Sequence, residues 1–219
     1  MNHLLGFFSA FNPDAIKNTR FYKGSFPAEY GGRLSSVVDV RMNDGNRQEY
    51  HGNISVGLLS ARANLEGPIV KDRSSFNVSV RRTWLDLITG TALAIVNKNS
   101  DTKESFGYHF FDINAKVNHS FSERSRAYLS FYMGQDAFRQ GSKEKHEDSD
   151  DMFLWRWGNL IGSAGWNYVF GQKLFGNLMV GYSRFRSHIR QEAKGYEIEG
   201  NRAERQSIKR DSRYKSEME

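Results

Sequence analysis

The most regular feature of the chain is an alternation of apolar and polar side chains between about residues 49 and 190. Ile113 and Val117 share one parity, for example, and Asp112 and Lys116 share the other. Successive side chains of a strand point to opposite faces, so this period of two predicts strands with one apolar and one polar surface. We predict seven strands, at about residues 49–58, 60–69, 75–87, 109–121, 126–137, 156–170 and 174–190.

The parity of the apolar residues changes near the start of this region. Ile54 and Val56 have even numbers, whereas Ala61 and Leu65 have odd numbers. A β-bulge or a tight hairpin at about residues 57–60 would produce this change. We favour the hairpin, which separates the first two predicted strands.

The connections between the predicted strands alternate in length. Residues 71–73, 122–125 and 171–173 form short connections, while residues 88–108 and 138–155 are long and polar. Outer-membrane β-barrels have this asymmetry, with short periplasmic turns and long external loops. A soluble β-sandwich, whose strands also alternate, stays open as the alternative.

Aromatic residues recur at a spacing that favours the membrane barrel. A tilted strand crosses the hydrocarbon layer in about 9–11 residues, and aromatic girdles mark both of its boundaries. Sandwich strands are typically shorter, at about 5–6 residues. The spaced pairs are Phe110 or Phe111 with Phe121, Trp157 with Tyr168, and Phe175 with Phe185.

Composition narrows the class further. The 219 residues include no cysteine, which excludes disulfides and thiolate metal sites. The net charge of +6 comes from interspersed charges of both signs, so nucleic acid is not an expected partner. The apolar stretch at residues 87–97 is too short for a membrane-spanning helix, which needs about 20 residues. No signal peptide opens the chain, which suggests either a cytoplasmic protein or an internal start.

Residues 12–16 and 20–40 carry a motif. It contains Lys23-Gly24, then Tyr30-Gly31, and then a small-residue turn that leads into a strand at residues 34–40. This segment resembles the C-terminal end of the plug domain of TonB-dependent outer-membrane receptors. The resemblance extends to the start of the alternating pattern, because the barrel begins directly after the plug in that family.

The resemblance implies an all-β fold in which an antiparallel meander forms part of a transmembrane β-barrel of about 22 strands. It assigns residues 1–45 to the C-terminal part of the plug and residues 46–190 to roughly the first seven barrel strands. Residues 191–219, which are rich in charge, are expected to be an extracellular loop or a disordered tail. The chain therefore resembles an internal fragment of an outer-membrane protein, which accounts for the absent signal peptide.

The resemblance also implies a function, which is energy-coupled uptake of a scarce nutrient across the Gram-negative outer membrane. The implied partners are the TonB complex (through a segment missing here), outer-membrane lipid and a nutrient of unknown identity. No catalysis and no cofactor are expected. The implied gating residues of the plug are Lys23, Gly24, Glu29, Tyr30, Gly31, Gly32 and Arg33. Of these, Glu29 and Arg33 are expected to pair inside a water-filled lumen.

No catalytic motif or metal-ligand spacing occurs in the sequence. The acidic run at residues 146–151 has oxygen ligands but lacks the regular spacing of a calcium loop. Residues 84–96 are expected to hold a short helix or an apolar patch. Its apolar side chains are expected to form a mini-core within the loop, or else to contact the plug, a neighbouring loop or a surface lipoprotein. These side chains are Leu87, Ile88, Leu93, Ile95 and Val96.

The membrane interpretation makes a prediction about faces. Asn77, Asp112, Asn114 and Lys116 should face the plug and lumen, and the opposite parity should face lipid. Two alternatives remain at this stage. One is an outer-membrane barrel that acts as an adhesin or surface receptor without transport, and the other is a soluble β-sandwich binding module.

Overall fold

The computed structural model describes residues 2–3, 8–9, 12–24, 27, 36–144, 150–199 and 202–218. From the N-terminus, the first six strands are β1 (Asn2–His3), β2 (Phe8–Ser9), β3 (Ile16–Tyr22), β4 (Val37–Met42), β5 (His51–Val56) and β6 (Ser60–Val70). They are followed by β7 (Ser74–Thr83), helix α1 (Leu85–Val96), β8 (Thr102–Ser122), β9 (Ser125–Glu144), β10 (Asp150–Val169), β11 (Phe175–Glu199) and β12 (Arg202–Met218).

Strands β5 to β12 form one antiparallel sheet in which each strand pairs with the next along the chain. The predicted all-β antiparallel meander is therefore confirmed, and the seven predicted strands correspond to β5–β11. Within the described residues the sheet is open, with β5 and β12 at its edges. Two smaller antiparallel pairs, β1 with β2 and β3 with β4, precede it. We call the β3–β4 pair the N-terminal hairpin.

The favoured hairpin near residue 57 is present. β5 pairs with β6 from His51 opposite Glu66 to Val56 opposite Ala61. The Gly57 amide donates to the Ser60 carbonyl at 2.9 Å and closes the turn. This turn changes the parity of the apolar residues and keeps all of them on one face of the sheet.

The short turns predicted from the sequence are confirmed, but the long polar loops are shorter than expected. Residues 88–108 contain most of α1 and the start of β8, while β9 and β10 occupy most of residues 138–155. Backbone pairing thus continues well past the alternating region. In those extensions polar residues occupy both odd-numbered and even-numbered positions. The alternation of apolar and polar residues therefore gave no signal for where the strands end.

The charged C-terminal segment also differs from its expected loop or disordered state. Residues 202–218 form β12, which pairs with β11 from Ser183 opposite Met218 to Glu199 opposite Arg202. Backbone hydrogen bonds to a neighbouring strand do not require apolar side chains, so charge content alone could not exclude a strand.

The two faces of the large sheet are inverted relative to those of a soluble protein. The side chains of the apolar face are largely exposed: Leu129 is 62% exposed, Val180 64% and Val117 41%. The polar face is buried, and Asn77 and Asp112 are both 0% exposed. Among the described residues, the buried polar side chains outnumber the buried hydrophobic ones. A β-sandwich with a dry apolar interior would show the opposite arrangement.

The apolar face is continuous across the sheet because the pairing keeps its residues in rows. Val117 lies opposite Leu129, Leu129 opposite Ala164, and Ala164 opposite Val180. From Phe111 to Phe121 this face extends about 33 Å along β8, which at the usual barrel tilt matches an apolar band about 25 Å tall.

The predicted aromatic pairs are correct only in part. Trp157 is 9% exposed and packs with Tyr108 and Phe110, and Phe185 packs against this cluster. Both residues lie on the polar face, so neither belongs to an outer girdle. A spacing of eleven residues puts Trp157 and Tyr168 on opposite faces. The pair Phe111 and Phe121 does share the apolar face.

The expected short helix is present as α1. No helix among the described residues has both the length and the apolar character needed to span a membrane. Leu87, Ile88, Ile95 and Val96 are exposed, so these four side chains do not form the expected mini-core. Leu85 at the start of α1 packs instead against the cluster of Tyr108, Phe110 and Trp157.

Candidate functional site

The residues expected to gate the plug are only partly described. Lys23 and Gly24 lie in an exposed bend directly after β3. Among the residues that the structure describes, no heavy atom would lie within 4 Å of a Cβ at Gly24. The other five expected residues, and with them the expected pair of Glu29 and Arg33, lie outside the described residues.

The described structure instead brings together a polar site centred on Asp44, in the segment between β4 and β5. Lys116 Nζ donates to Asp44 Oδ1 at 2.7 Å, and Lys17 Nζ donates to Asp44 Oδ2 at 2.9 Å. Lys116 comes from the polar face of the large sheet and Lys17 from the N-terminal hairpin. The Asp44 carboxylate therefore connects the two.

The main chain around Asp44 is held to the same face. The Asp44 carbonyl accepts hydrogen bonds from Ser75 Oγ at 2.7 Å and from Asn118 Nδ2 at 2.8 Å. Lys116 Nζ also donates to the Met42 carbonyl at 3.1 Å. Neutral and charged hydrogen bonds thus fix this segment against β7 and β8. We call Asp44, Lys17, Lys116, Ser75 and Asn118 the Asp44 site.

Two flanking contacts extend the attachment of the N-terminal segment. Asn43 Nδ2 donates to Glu66 Oε2 at 2.8 Å, and Asn77 Nδ2 donates to the same oxygen at 3.1 Å. Arg62 forms an ion pair of 3.1 Å with Asp14, which precedes β3. The attachment therefore spans β6, β7 and β8.

Gly45 has the one backbone conformation in this segment that favours glycine. Its φ is +79°, and a Cβ there would lie 2.1 Å from the carbonyl oxygen of Phe76. Both the positive φ and the close approach of β7 exclude a larger residue without a backbone shift.

We expect Gly45→Ala to lower the free energy of unfolding by about 2 kcal/mol or more, because it combines backbone strain with a steric clash. Gly90→Ala is a matched control, since a Cβ at Gly90 in α1 would meet no atom within 4 Å. In a helix interior that change should be stabilising by about 0.5–1 kcal/mol. Urea unfolding followed by tryptophan fluorescence measures both. Equal effects of the two substitutions would contradict the described packing at Gly45.

The electrostatics of the Asp44 site favour the ionised carboxylate. Burial raises the pKa of Asp44, but the hydrogen bonds and charges of Lys116 and Lys17 outweigh it, so the pKa lies below its ordinary value. A carboxyl group whose pKa is lower in the folded state stabilises that state above its unfolded pKa, and the stabilisation is lost as pH falls through the folded pKa. The attachment should therefore weaken below about pH 4.

Hydrogen exchange of the N-terminal hairpin measures this weakening. After correction for the intrinsic exchange rate, amides of β3 and β4 should lose protection as pH falls through the acidic range. In Asp44→Asn, protection should already be reduced at neutral pH and should change less on acidification. An identical pH dependence in the two proteins would show that Asp44 does not hold the hairpin.

A second buried cluster lies nearer α1 on the polar face. Arg81 Nη2 lies 2.6 Å from Asp112 Oδ2, with side-chain exposures of 9% and 0%. The Arg81 guanidinium also lies 4.9 Å from the centre of the Phe110 ring. Tyr108 Oη donates to Asp136, which is 2% exposed. Every charged side chain named in this cluster has a partner of opposite charge or a hydrogen bond.

The structure places the predicted polar residues on one buried face of the sheet, while the plug and lipid on either side of it stay predictions. Lys116 contacts the segment that carries Asp44, and Asn77 and Asp112 are buried on the same face. The Asp44 site itself was missed. The only local signal was the sequence Asn-Asp-Gly at residues 43–45, which is typical of turns. Its partner Lys116 lies far along the chain, so sequence spacing could not reveal it.

The described residues contain no group of three or more His, Asp or Glu side chains placed to hold a metal ion. Most of the acidic run at residues 146–151 lies outside the described part of the chain. The fold defines an all-β protein with an amphipathic meander sheet and a polar attachment site. Comparisons with protein-family models, with curated proteins and with solved structures found no match for the chain.

Proposed function

We propose that the chain is part of a TonB-dependent outer-membrane receptor that takes up a scarce nutrient across the Gram-negative outer membrane. The observation that carries this proposal is the inversion of the large sheet, with exposed apolar and buried polar side chains. A protein in water gains free energy by removing apolar surface from contact with the water. A broad exposed apolar face therefore implies that a solvent other than water lies on that side. Lipid is the solvent that accepts such a face on long antiparallel strands.

The polar face supports the second part of the proposal. On this face Lys116, Asn118 and Glu66 form hydrogen bonds with the segment that follows the N-terminal hairpin. A polar surface that binds an N-terminal segment suits a barrel wall that binds a plug. In this proposal the hairpin belongs to the plug, the large sheet belongs to the wall, and the barrel is completed by strands beyond this chain.

The proposed transport requires no covalent chemistry. Nutrient binds on the external side, and force applied through TonB moves the plug relative to the wall. Contacts such as Asp44 with Lys116 are then the contacts that restrain this motion. Charged and polar contacts in a wet lumen can be exchanged for contacts with water, at a smaller cost than separating an apolar core.

The test is uptake by cells that carry the whole gene. Accumulation of labelled siderophore, cobalamin and oligosaccharide is measured with and without the gene, each with and without a protonophore. The proposal predicts gene-dependent accumulation of one ligand class, abolished by the protonophore. Surface binding that the protonophore leaves unchanged, with no accumulation of any ligand, would indicate an adhesin or a surface receptor without transport.

A further inference from the structure

Three exposed arginines lie on the apolar face of the sheet, near the end that carries α1. They are Arg139 on β9, Arg156 on β10 and Arg186 on β11. Neither β10–β9 nor β10–β11 pairing contains a register shift, so parity assigns faces reliably along these strands. Each arginine shares its parity with the apolar residues of its strand. We call these three residues the arginine stripe.

The register places the arginine stripe on a diagonal across the three strands. Arg156 lies opposite Ala137, which is two residues from Arg139, and opposite His188, which is two residues from Arg186. Neighbouring members are thus one strand and two residues apart, or about 8 Å between Cα atoms. This separation is short enough for their charges to act on one anionic surface.

The boundary of the apolar face runs along the same strands. The continuous apolar run ends at Met133 on β9, at Leu160 on β10 and at Tyr182 on β11. Arg156 and Arg186 each lie four residues beyond that boundary, or about 13 Å along the strand, and Arg139 lies six beyond. Arginine side chains extend several ångströms and can lean toward an interface while their stems cover apolar surface.

Acidic side chains are sparse in this part of the face. Glu192 forms an ion pair with Arg190, which lies in the row of Arg139 on the far side of Leu154. The positions opposite Arg156 on β9 and opposite Arg186 on β10 are the small residues Ala137 and Gly158, and the position on β10 opposite Arg139 is Leu154. A cationic zone bordering an apolar surface matches an amphiphile with an anionic head and an apolar tail.

We infer that the arginine stripe binds the phosphate headgroups of anionic membrane lipids, whose acyl chains lie against the apolar face. Guanidinium groups form paired hydrogen bonds with phosphate oxygens and remain charged at all relevant pH values. The inference rests on the proposed membrane location and adds a lipid class to it. It makes the membrane contact selective for anionic lipid, whereas the apolar face alone would accept any acyl chain.

Binding of the whole 219-residue chain to vesicles tests the inference. One set of vesicles is phosphatidylcholine alone, and the other contains equal parts of phosphatidylcholine and phosphatidylglycerol. The test variant carries Arg139→Gln, Arg156→Gln and Arg186→Gln. The control variant removes the same charge from exposed arginines of the N-terminal hairpin and the polar face, with Arg20→Gln, Arg41→Gln and Arg126→Gln.

Each basic side chain close to an anionic membrane surface raises the affinity of a protein for that membrane about fivefold. The test variant should therefore lose about 100-fold of the preference for anionic vesicles, and its binding to neutral vesicles should not change. The control variant should keep most of the preference. Equal losses in the two variants would overturn the inference, because net charge rather than the arginine stripe would then set the preference.

Further outcomes separate this inference from the proposed function. Equal binding of the unmodified chain to both kinds of vesicle would overturn the arginine stripe inference and leave the membrane location standing. Failure to bind either kind would overturn both. A short DNA duplex is tested in parallel without vesicles. If it binds with the same dependence on the arginine stripe, the surface recognises polyanions in general and the lipid assignment is wrong.

Discussion

Leu129→Arg is expected to destabilise the membrane-inserted chain by about 2–4 kcal/mol, which is the cost of a basic side chain at the middle of the lipid-facing surface of a barrel. Leu129 lies on the apolar face, in the row that joins Val117, Ala164 and Val180. In water the same change would replace an exposed apolar side chain by a charged one and would cost little. The expected effect thus depends on the solvent at that face.

Leu174→Arg is a closely matched control for this prediction. Leu174 and Leu129 are both 62% exposed, but Leu174 lies in the connection between β10 and β11, where the strands end. A basic side chain near the membrane boundary costs about 0–1 kcal/mol. Urea unfolding from lipid vesicles, followed by tryptophan fluorescence, measures both variants. Similar small effects at the two positions would contradict a lipid-facing role for Leu129.

Arg81→Met is expected to lower the free energy of unfolding by about 3–5 kcal/mol, because it leaves the carboxylate of Asp112 buried without its cationic partner. Asp112 is 0% exposed, and a neutral hydrogen bond such as the one from Asn114 Nδ2, at 3.3 Å, cannot replace a charge. The loss of the contact between Arg81 and the Phe110 ring acts in the same direction.

Arg82→Met provides the control for the buried pair. Arg82 is the next residue and pairs with Asp86 at 3.2 Å, but its side chain is 53% exposed. A surface pair of this kind contributes about 0–1 kcal/mol. The double variant Arg81→Met/Asp112→Leu should recover at least half of the stability lost in Arg81→Met, since no unpaired charge remains. If the double variant is no more stable than the single one, the cost arises from packing rather than from the buried charge.

The sequence predicted the strands where one face is apolar and the other polar. Alternation around Ile113 and Val117 indicated both the strand β8 and the face that each side chain occupies. Where both faces are polar, as at residues 102–108 and 202–218, the same rule gives no signal, although the backbone pairs there. Strand length therefore exceeded the prediction at the end of the sheet that carries α1.

The candidate site was predictable only in part. The parity of Lys116 indicated that its side chain faces the N-terminal segment, but nothing in the sequence identified Asp44 as its partner. That contact depends on the path of the segment after β4, which lies against the polar face of β7 and β8. Trp157 shows the converse error, since its spacing from Tyr168 resembled a girdle although their parities differ. Face assignment by parity was more informative than aromatic spacing.

The central claim is that lipid contacts one face of the large sheet, and spin labelling tests it most directly. The chain contains no cysteine, so single cysteines can be introduced one at a time at residues 112–117 and labelled in lipid vesicles. We expect high oxygen accessibility at residues 113, 115 and 117, and low accessibility at residues 112, 114 and 116. A uniform profile along the six positions, or accessibility to a water-soluble nickel reagent at the odd positions, would contradict it.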